Sequence, residues 1–255
     1  MKTEPSPLRD KKFVYRRRDT MKFPVPPPYI QKFEYQELEA TTLTTGRTYL
    51  TPSGRFPSIT TVLSATQSED KEKGLRQWRE AVGNEEADRI TKESGDFGTL
   101  VHDTMELYLK HETINPATLH PMARKAILEL CQELDGNFEE TWALEVPLYS
   151  TTLCIAGRTD VVGVWKGKPV ILDYKTSRSP KSFDKVQDYF VQLLYYALAH
   201  NELHGTNIRH GVIAMAVMTG RPQVWEVDLF APELWATFEE KLVRFFGENY
   251  ADEYC

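Results

Sequence analysis

A predicted β-hairpin brings two aspartates and a lysine together. The Lys-Gly pair at residues 166–167 is typical of a two-residue hairpin turn, in which glycine supplies the positive φ. A symmetric register about this turn places Asp160 directly opposite Asp173. Because side chains alternate between the faces of a strand, Asp173 and Lys175 share one face and Tyr174 lies on the other. The polar groups of Asp160, Asp173 and Lys175 therefore converge.

The surroundings of these side chains favour a bound cation. Flanking valine, isoleucine and leucine residues predict that both strands are buried. Two facing carboxylates repel each other, and buried unpaired charges are costly. A divalent cation between Asp160 and Asp173 resolves this conflict, and Lys175 is then placed to help activate a water for phosphodiester hydrolysis. A buried Asp–Lys ion pair without a metal is the alternative.

The elements that must position this hairpin change character along the chain. Helical spacing dominates up to about residue 138, and period-two alternation begins near residue 142. The predicted helices begin at Ser58, span 70–92, begin again at Gly98 and Pro121, and cover 185–203 and 231–247. The predicted strands cover 142–149, 154–165, 169–175, 212–218 and 224–229, after a strand and turn at 48–54. This order predicts an α/β (α+β) core.

The first forty residues are predicted to form a basic, proline-rich flexible arm, with the folded body starting near residue 40. Residues 1–22 carry eight basic and three acidic side chains, although the whole chain has a net charge of −6. Prolines between 24 and 28 predict a stiff spacer. A basic arm on an acidic body suits a polyanionic partner, and a solvated leader is the alternative.

Composition excludes several other classes. A hydrophobic content of 41% is ordinary for a folded globular chain, and the apolar runs fall far short of the roughly 20 residues of a membrane helix. Three cysteines are too few for a four-thiolate iron–sulfur cluster.

The N-terminus lacks a secretory pattern, so we expect an intracellular, cytoplasmic protein without membrane partners. The mitochondrial matrix is the alternative location, although acidic residues in the arm fit a transit peptide poorly.

Four segments, in this order, resemble the signature of the PD-(D/E)xK nuclease superfamily. They are Gly98 to His102, Gly157 to Asp160, Val170 to Lys175, and Gln192 to Tyr196. Within the superfamily the chain is similar to RecB-like exonucleases of mitochondria, phages and bacteria, from about residue 47 to 247. The resemblance implies one nuclease domain over 41–255. Its restriction-endonuclease-like core would have a central mixed β-sheet flanked by helices and a helical N-terminal part.

The resemblance also implies roles for single residues. Asp160 and Asp173 would bind a metal with the main-chain carbonyl of Tyr174, and Lys175 would be the catalytic lysine. His102 would bind or neighbour a metal ion, either Mg²⁺ or Mn²⁺. Glu145, on the preceding strand, would help bind the metal or accept a hydrogen bond from a group around it; a plain strand-end charge explains it nearly as well.

Further residues are candidates for contact with nucleic acid. Gln192 and Tyr196 lie four apart on one helix and share a face, which in this family looks toward the active site; a packed tyrosine is the alternative. Ser58 and Thr60 at a helix N-terminus suit a phosphate. Residues after the catalytic strand are expected to contact phosphates: Thr176, Ser177 and Arg178.

These features predict a Mg²⁺- or Mn²⁺-dependent DNA exonuclease. Its substrate would be DNA, single-stranded or with free ends, in replication, recombination or repair. Replication or recombination proteins are possible partners. Two alternatives stay open, namely an endonuclease and a catalytically inactive nucleic-acid-binding module of the same fold.

Overall fold

The computed structural model describes residues 22–247. The strands are β1 (Glu39–Leu43), β2 (Gly46–Thr51), β3 (Gly54–Pro57), β4 (Phe138–Ser150), β5 (Ile155–Trp165), β6 (Lys168–Ser177), β7 (His210–Val217) and β8 (Gln223–Asp228). The helices are α1 (Ile59–Ala65), α2 (Glu69–Val82), α3 (Asn84–Leu109), α4 (Pro121–Leu134), α5 (Gln187–His204) and α6 (Pro232–Phe246). Short 3-10 turns lie at Pro116–Thr118 and Phe183–Val186.

A five-stranded mixed sheet forms the centre of the fold. Its order is β4-β5-β6-β7-β8, with β6 and β7 parallel and the other neighbours antiparallel. Helix α5 connects the two parallel strands and packs on one face with α1 and α6. Helices α3 and α4 cover the other face. The predicted α/β (α+β) class and its mixed sheet flanked by helices are confirmed.

The hairpin that carries the aspartates has the predicted register. Lys166 and Gly167 have φ values of 47° and 74°, the two positive angles of a type I′ turn. The ladder between β5 and β6 continues in this register from the turn to the pair Val161–Leu172. Asp160 and Asp173 are the next residues outward, so they sit where the regular pairing ends.

Two predicted helix boundaries were wrong. The helix over 70–92 is broken at Gly83, which separates α2 from α3. Gly98 does not begin a helix, because it lies in the middle of α3 where that helix crosses β6 beside Thr176. Among residues 22–247, no helix is both long and apolar enough to cross a membrane.

Residues 22–38 lie on the folded body, so the predicted boundary at residue 40 is too late. The Thr141 amide donates to the carbonyl of Pro28, and Ile30 donates back to Thr141 on the edge strand β4. Further along, Phe33 and Tyr35 pack against His200 on α5. These contacts cover part of the β4 edge of the sheet and part of α5. The strongly basic residues 1–21 lie outside the described residues.

Candidate active site

Strands β1, β2 and β3 form a separate three-stranded antiparallel sheet. A cavity of about 730 Å³ opens between this sheet, the five-stranded sheet and α3. Its floor lies where the pairing of β5 with β6 stops, far from the turn. Its walls come from β2, α1, α3 and α5. The residues that line it are Arg47, Tyr49, Ser58, Ile59, Thr60, Gly98, Thr99, His102, Asp103, Glu106, Glu145, Gly157, Arg158, Asp160, Asp173, Lys175, Gln192 and Tyr196.

Three carboxylates lie at one level of three neighbouring strands. In β4 and β5 the pairs Leu144–Val161 and Val146–Thr159 flank Glu145 and Asp160, so these two residues face each other in register. The β5–β6 register places Asp173 across from Asp160 on the other side. The sheet therefore lines up Glu145, Asp160 and Asp173 across its width.

Helix α3 adds His102 to this row. The Nδ1 atom of His102 lies 3.4 Å from Oδ1 of Asp160. Ligand atoms of His102, Glu145 and Asp160 all lie within 4.8 Å of one another. Burial alone lowers the pKa of His102, but the hydrogen bond and charge of Asp160, with the charge of Asp173, raise it above its usual value overall. The other oxygen of Asp160 accepts the Tyr174 amide at 2.6 Å, which fixes the carboxylate.

Glu145 has an unusual backbone for a strand residue. Its φ is 49°, in the left-handed region that residues with a Cβ rarely adopt. The guanidinium of Arg158 donates to the Glu145 carbonyl at 2.5 Å. Burial and the charge of Asp160 raise the pKa of the Glu145 carboxyl to about 7. An acid that is costly to ionise in the free protein is well placed to bind a cation.

Asp173 and Lys175 form an ion pair at the cavity floor. Asp173 is buried, and the ammonium of Lys175, with a side chain 18% exposed, lies directly against its Oδ2. Burial and the charge of Asp160 raise the pKa of Asp173 to about 6 despite this partner. Lys175 also lies over the ring of Tyr189, 5.1 Å from its centroid. This contact is expected both for a structural ion pair without a metal and for a catalytic lysine beside a metal ligand.

The donor set fits a hard divalent cation. One imidazole and two carboxylates converge within ligand reach of one another, and Asp173 adds a third carboxylate on the next strand. Burial and the charge of Asp160 raise the pKa of both Glu145 and Asp173, and a divalent cation would relieve the repulsion from Asp160. His102, Glu145, Asp160 and Asp173 are the residues that would hold the ion. The structure buries the Tyr174 ring on the opposite face, and its carbonyl as a ligand stays a prediction.

Replacing Glu145 by glutamine is expected to stabilise the metal-free protein at pH 8 but not at pH 4.5. A folded-state pKa raised to about 7 means that stability falls as the pH rises from about 4.5 to 7, and the full penalty remains above that range. For this half-buried group we expect a gain of about 1 kcal/mol after solvent screening. Thermal melts in EDTA at both pH values measure it, with the exposed Glu240→Gln as a matched control. An equal shift at both pH values would contradict the assigned environment.

Gln192 and Tyr196 on α5 line the same cavity beside Asp173 and Lys175. The Gln192 amide donates to the Tyr196 hydroxyl at 2.9 Å, and both side chains are buried. A Cβ on Gly157 would approach the Tyr196 ring to 2.8 Å, so glycine is needed at the start of the 157–160 motif. Tyr196 is thus packed in the core and also lines the cavity.

Ser58 and Thr60 also line the cavity, from the start of α1. The Ser58 hydroxyl caps this helix, because it accepts the Thr61 amide at 3.0 Å, and it contacts Thr60 Oγ1 at 2.8 Å. Thr60 is exposed. Phosphate contact by these two residues therefore depends mainly on Thr60 and stays a prediction.

Thr176, Ser177 and Arg178 do not line this cavity. They line a second cavity of about 410 Å³, with Phe97 and Lys181 among its other walls. The Ser177 hydroxyl donates to the carbonyl of Ser179 at 2.7 Å. Strand β6 therefore places Asp173 and Lys175 at one cavity, whereas its last two residues and the following Arg178 lie at another. Helix α3 crosses the strand there, at Gly98.

Several lining residues were not predicted from the sequence as site residues. Arg47 and Tyr49 come from β2 of the separate three-stranded sheet, and Asp103 and Glu106 follow His102 on α3. Arg158 lies inside the 157–160 motif, two residues before Asp160. Its place in the motif, with the same strand face as Asp160, was the one signal that could have singled it out.

The fold and the site define the class of this protein. The fold is a mixed sheet between helices. Asp160, Asp173 and Lys175 lie together where the pairing of β5 with β6 stops, and helix α3 adds His102. A profile of the PD-(D/E)XK nuclease superfamily matches residues 116–254, more than half of the chain. The chain belongs to this superfamily.

The chain is also similar to particular exonucleases. It is 27% identical over 176 residues to mitochondrial genome maintenance exonuclease 1 of Homo sapiens, and 25% identical over 175 residues to that of Mus musculus. Each match covers 66% of this chain and 51% of the relative, so the chain spans about half the length of the curated relatives it matches. These matches agree with the predicted resemblance to mitochondrial exonucleases.

Among solved structures, the chain has some similarity to a Eubacterium rectale protein that is provisionally called an exonuclease. It has a TM-score of 0.38 and 12% identity, and the match covers 57% of this chain and 63% of that one. This likeness is too weak for any comparison of residues.

Proposed function

We propose that this protein is a divalent-metal-dependent DNA exonuclease that hydrolyses phosphodiester bonds. The convergence of His102, Glu145, Asp160, Asp173 and Lys175 in one open cavity is the observation that supports the proposal best. Membership of a nuclease superfamily supports hydrolysis of phosphodiester bonds. Mg²⁺ and Mn²⁺ are the candidate ions because the site is dominated by carboxylates.

In the proposed hydrolysis, the chain's own residues orient the reacting groups and neutralise the charge that develops on them. A divalent ion held by His102, Glu145, Asp160 and Asp173 would supply Lewis-acid stabilisation of charge on the scissile phosphate. The Lys175 ammonium lies beside Asp173, where it can orient a water and stabilise the developing negative charge. Gln192 and Tyr196 line the same wall and can donate to a phosphate or sugar.

The substrate and setting are also proposed. The names of the human and mouse relatives favour an exonuclease over an endonuclease. We propose single-stranded or free-ended DNA as the substrate, in replication, recombination or repair, with proteins of those processes as partners. The same names favour the mitochondrial matrix over the cytoplasm as the location.

The first test is a cleavage time course with Mg²⁺ or Mn²⁺ on end-labelled linear single-stranded DNA, beside a covalently closed circle of the same sequence. Loss of the linear DNA with the circle intact supports an exonuclease. Cleavage of both would make the protein an endonuclease. Binding of both without cleavage, at any concentration of either metal, would favour an inactive nucleic-acid-binding module.

Removing residues 1–22 is expected to weaken DNA binding at 50 mM salt by about tenfold, and much less at 300 mM. The eight basic side chains of this segment would release condensed counterions on binding, so the slope of log affinity against log salt should become shallower. Fluorescence anisotropy over a salt series measures this slope. Equal affinity of the full and shortened chains at every salt concentration would identify the segment as a solvated leader.

A further inference from the structure

We propose that Arg158 is a positioning residue for the metal site. It holds Glu145 in the backbone conformation that brings its carboxylate beside Asp160. This inference rests on the proposed function, because it takes the row of carboxylates as the metal site.

The need for such a residue comes from the backbone of Glu145. A glutamate at a φ of 49° in the interior of a strand is in an unfavourable conformation, which persists only where the surroundings hold it. The neighbours Leu144 and Val146 keep their regular partners on β5, so the distortion is confined to one residue. That residue is the one whose carboxylate meets His102 and Asp160.

The contacts of Arg158 match this need. Its backbone pairs with Pro147, and its side chain reaches along the neighbouring strand to donate from Nη1 to the Glu145 carbonyl at 2.5 Å. The other terminal nitrogen, Nη2, donates to Glu37 at 2.7 Å. The two ends of the guanidinium are therefore bound to the protein, and a planar fork resists rotation better than a single ammonium.

A residue that orients a ligand acts on metal affinity. Loss of a group that orients a metal ligand typically lowers affinity by roughly 10- to 100-fold. We therefore expect Arg158→Met to weaken Mn²⁺ binding about tenfold in the absence of DNA. The affinity for DNA in EDTA should change less than about threefold, because both ends of the guanidinium are already occupied.

The experiment is titration calorimetry of Mn²⁺ into the full chain without DNA. It compares wild type, Arg158→Met, Glu145→Gln and the double variant. If Arg158 acts through Glu145, the double variant binds Mn²⁺ as weakly as Glu145→Gln and no more weakly. Arg209→Met is the matched control, since it removes an exposed arginine that pairs with Asp228 away from the cavity. Glu37→Gln should change Mn²⁺ affinity less than about twofold, because this glutamate is mostly exposed.

Each outcome decides the inference. Arg158→Lys keeps the charge but not the fork, and it should also lose affinity, by at least about threefold; it replaces Arg158→Met if that variant does not fold. Unchanged Mn²⁺ affinity in the folded variants overturns the inference, and so does a further loss in the double variant. Weaker DNA binding in EDTA with unchanged Mn²⁺ affinity would make Arg158 a phosphate contact instead. A wild type that binds no Mn²⁺ would overturn the proposed function as well.

Discussion

Replacing Asp173 by asparagine is expected to lower DNA cleavage by about 10³-fold or more. Asparagine keeps the shape of the side chain but removes a negative charge that would help to hold the proposed divalent ion between β5 and β6. Burial and the charge of Asp160 raise the pKa of Asp173 to about 6, so its ionised form is costly in the metal-free protein. The stability of the wild type should therefore fall as the pH rises from about 4 to 6, and the penalty remains at pH 8.

The same variant thus separates catalysis from folding. In EDTA at pH 8, Asp173→Asn should melt at or above the wild-type temperature, although Lys175 loses its partner. Addition of Mn²⁺ should raise the melting temperature of the wild type and not that of the variant. The exposed Asp228→Asn serves as the control for cleavage and melting. Wild-type cleavage by a folded Asp173→Asn protein would remove Asp173 from the active site.

The hairpin was predictable because local rules determine it. The Lys-Gly turn fixes the register of β5 and β6, and alternation then places Asp173 and Lys175 on one face. The Ser58 cap and the Pro121 start of α4 follow from similarly local signals. The order of the motifs along the chain also predicted the superfamily, and the profile match confirms that prediction.

The wrong boundaries have non-local causes. Gly98 looks like a helix start in sequence, but it lies inside α3 at the crossing over β6. The proline-rich segment looks like a spacer, but the exposed edge of β4 offers Thr141 as a hydrogen-bonding partner for residues 28–30. The patterns in these two segments do not show which sheet edge or which strand each will contact.

The candidate site shows the same limit. Its aspartates, lysine and histidine follow from motifs, whereas Arg47 and Tyr49 reach the cavity only through the packing of a second sheet. The role of Glu145 depends on a positive φ that no sequence rule predicts for glutamate. The split of β6 between two cavities depends on where α3 crosses it.

Replacing Lys175 by methionine is expected to lower cleavage by roughly 100- to 1,000-fold while DNA affinity changes less than about threefold. The ammonium lies at the cavity floor against Asp173. In the proposed mechanism it acts there on charge that develops during the reaction. DNA affinity is spread over many phosphate contacts, so one partly buried lysine contributes little to it. Single-turnover cleavage and anisotropy in EDTA measure the two quantities separately.

Lys181→Met is the matched control, because Lys181 lies over the same Tyr189 ring, 5.4 Å from its centroid, but lines the second cavity. It should weaken DNA binding a few-fold and leave single-turnover cleavage at saturating DNA unchanged. Lys175→Met also leaves the buried Asp173 carboxylate without its ion-pair partner, so the metal-free variant should lose more stability at pH 8 than at pH 5. Equal losses of affinity and cleavage in Lys175→Met would make Lys175 a phosphate-binding residue. A loss of stability without a loss of cleavage would make the Asp173–Lys175 pair a structural ion pair.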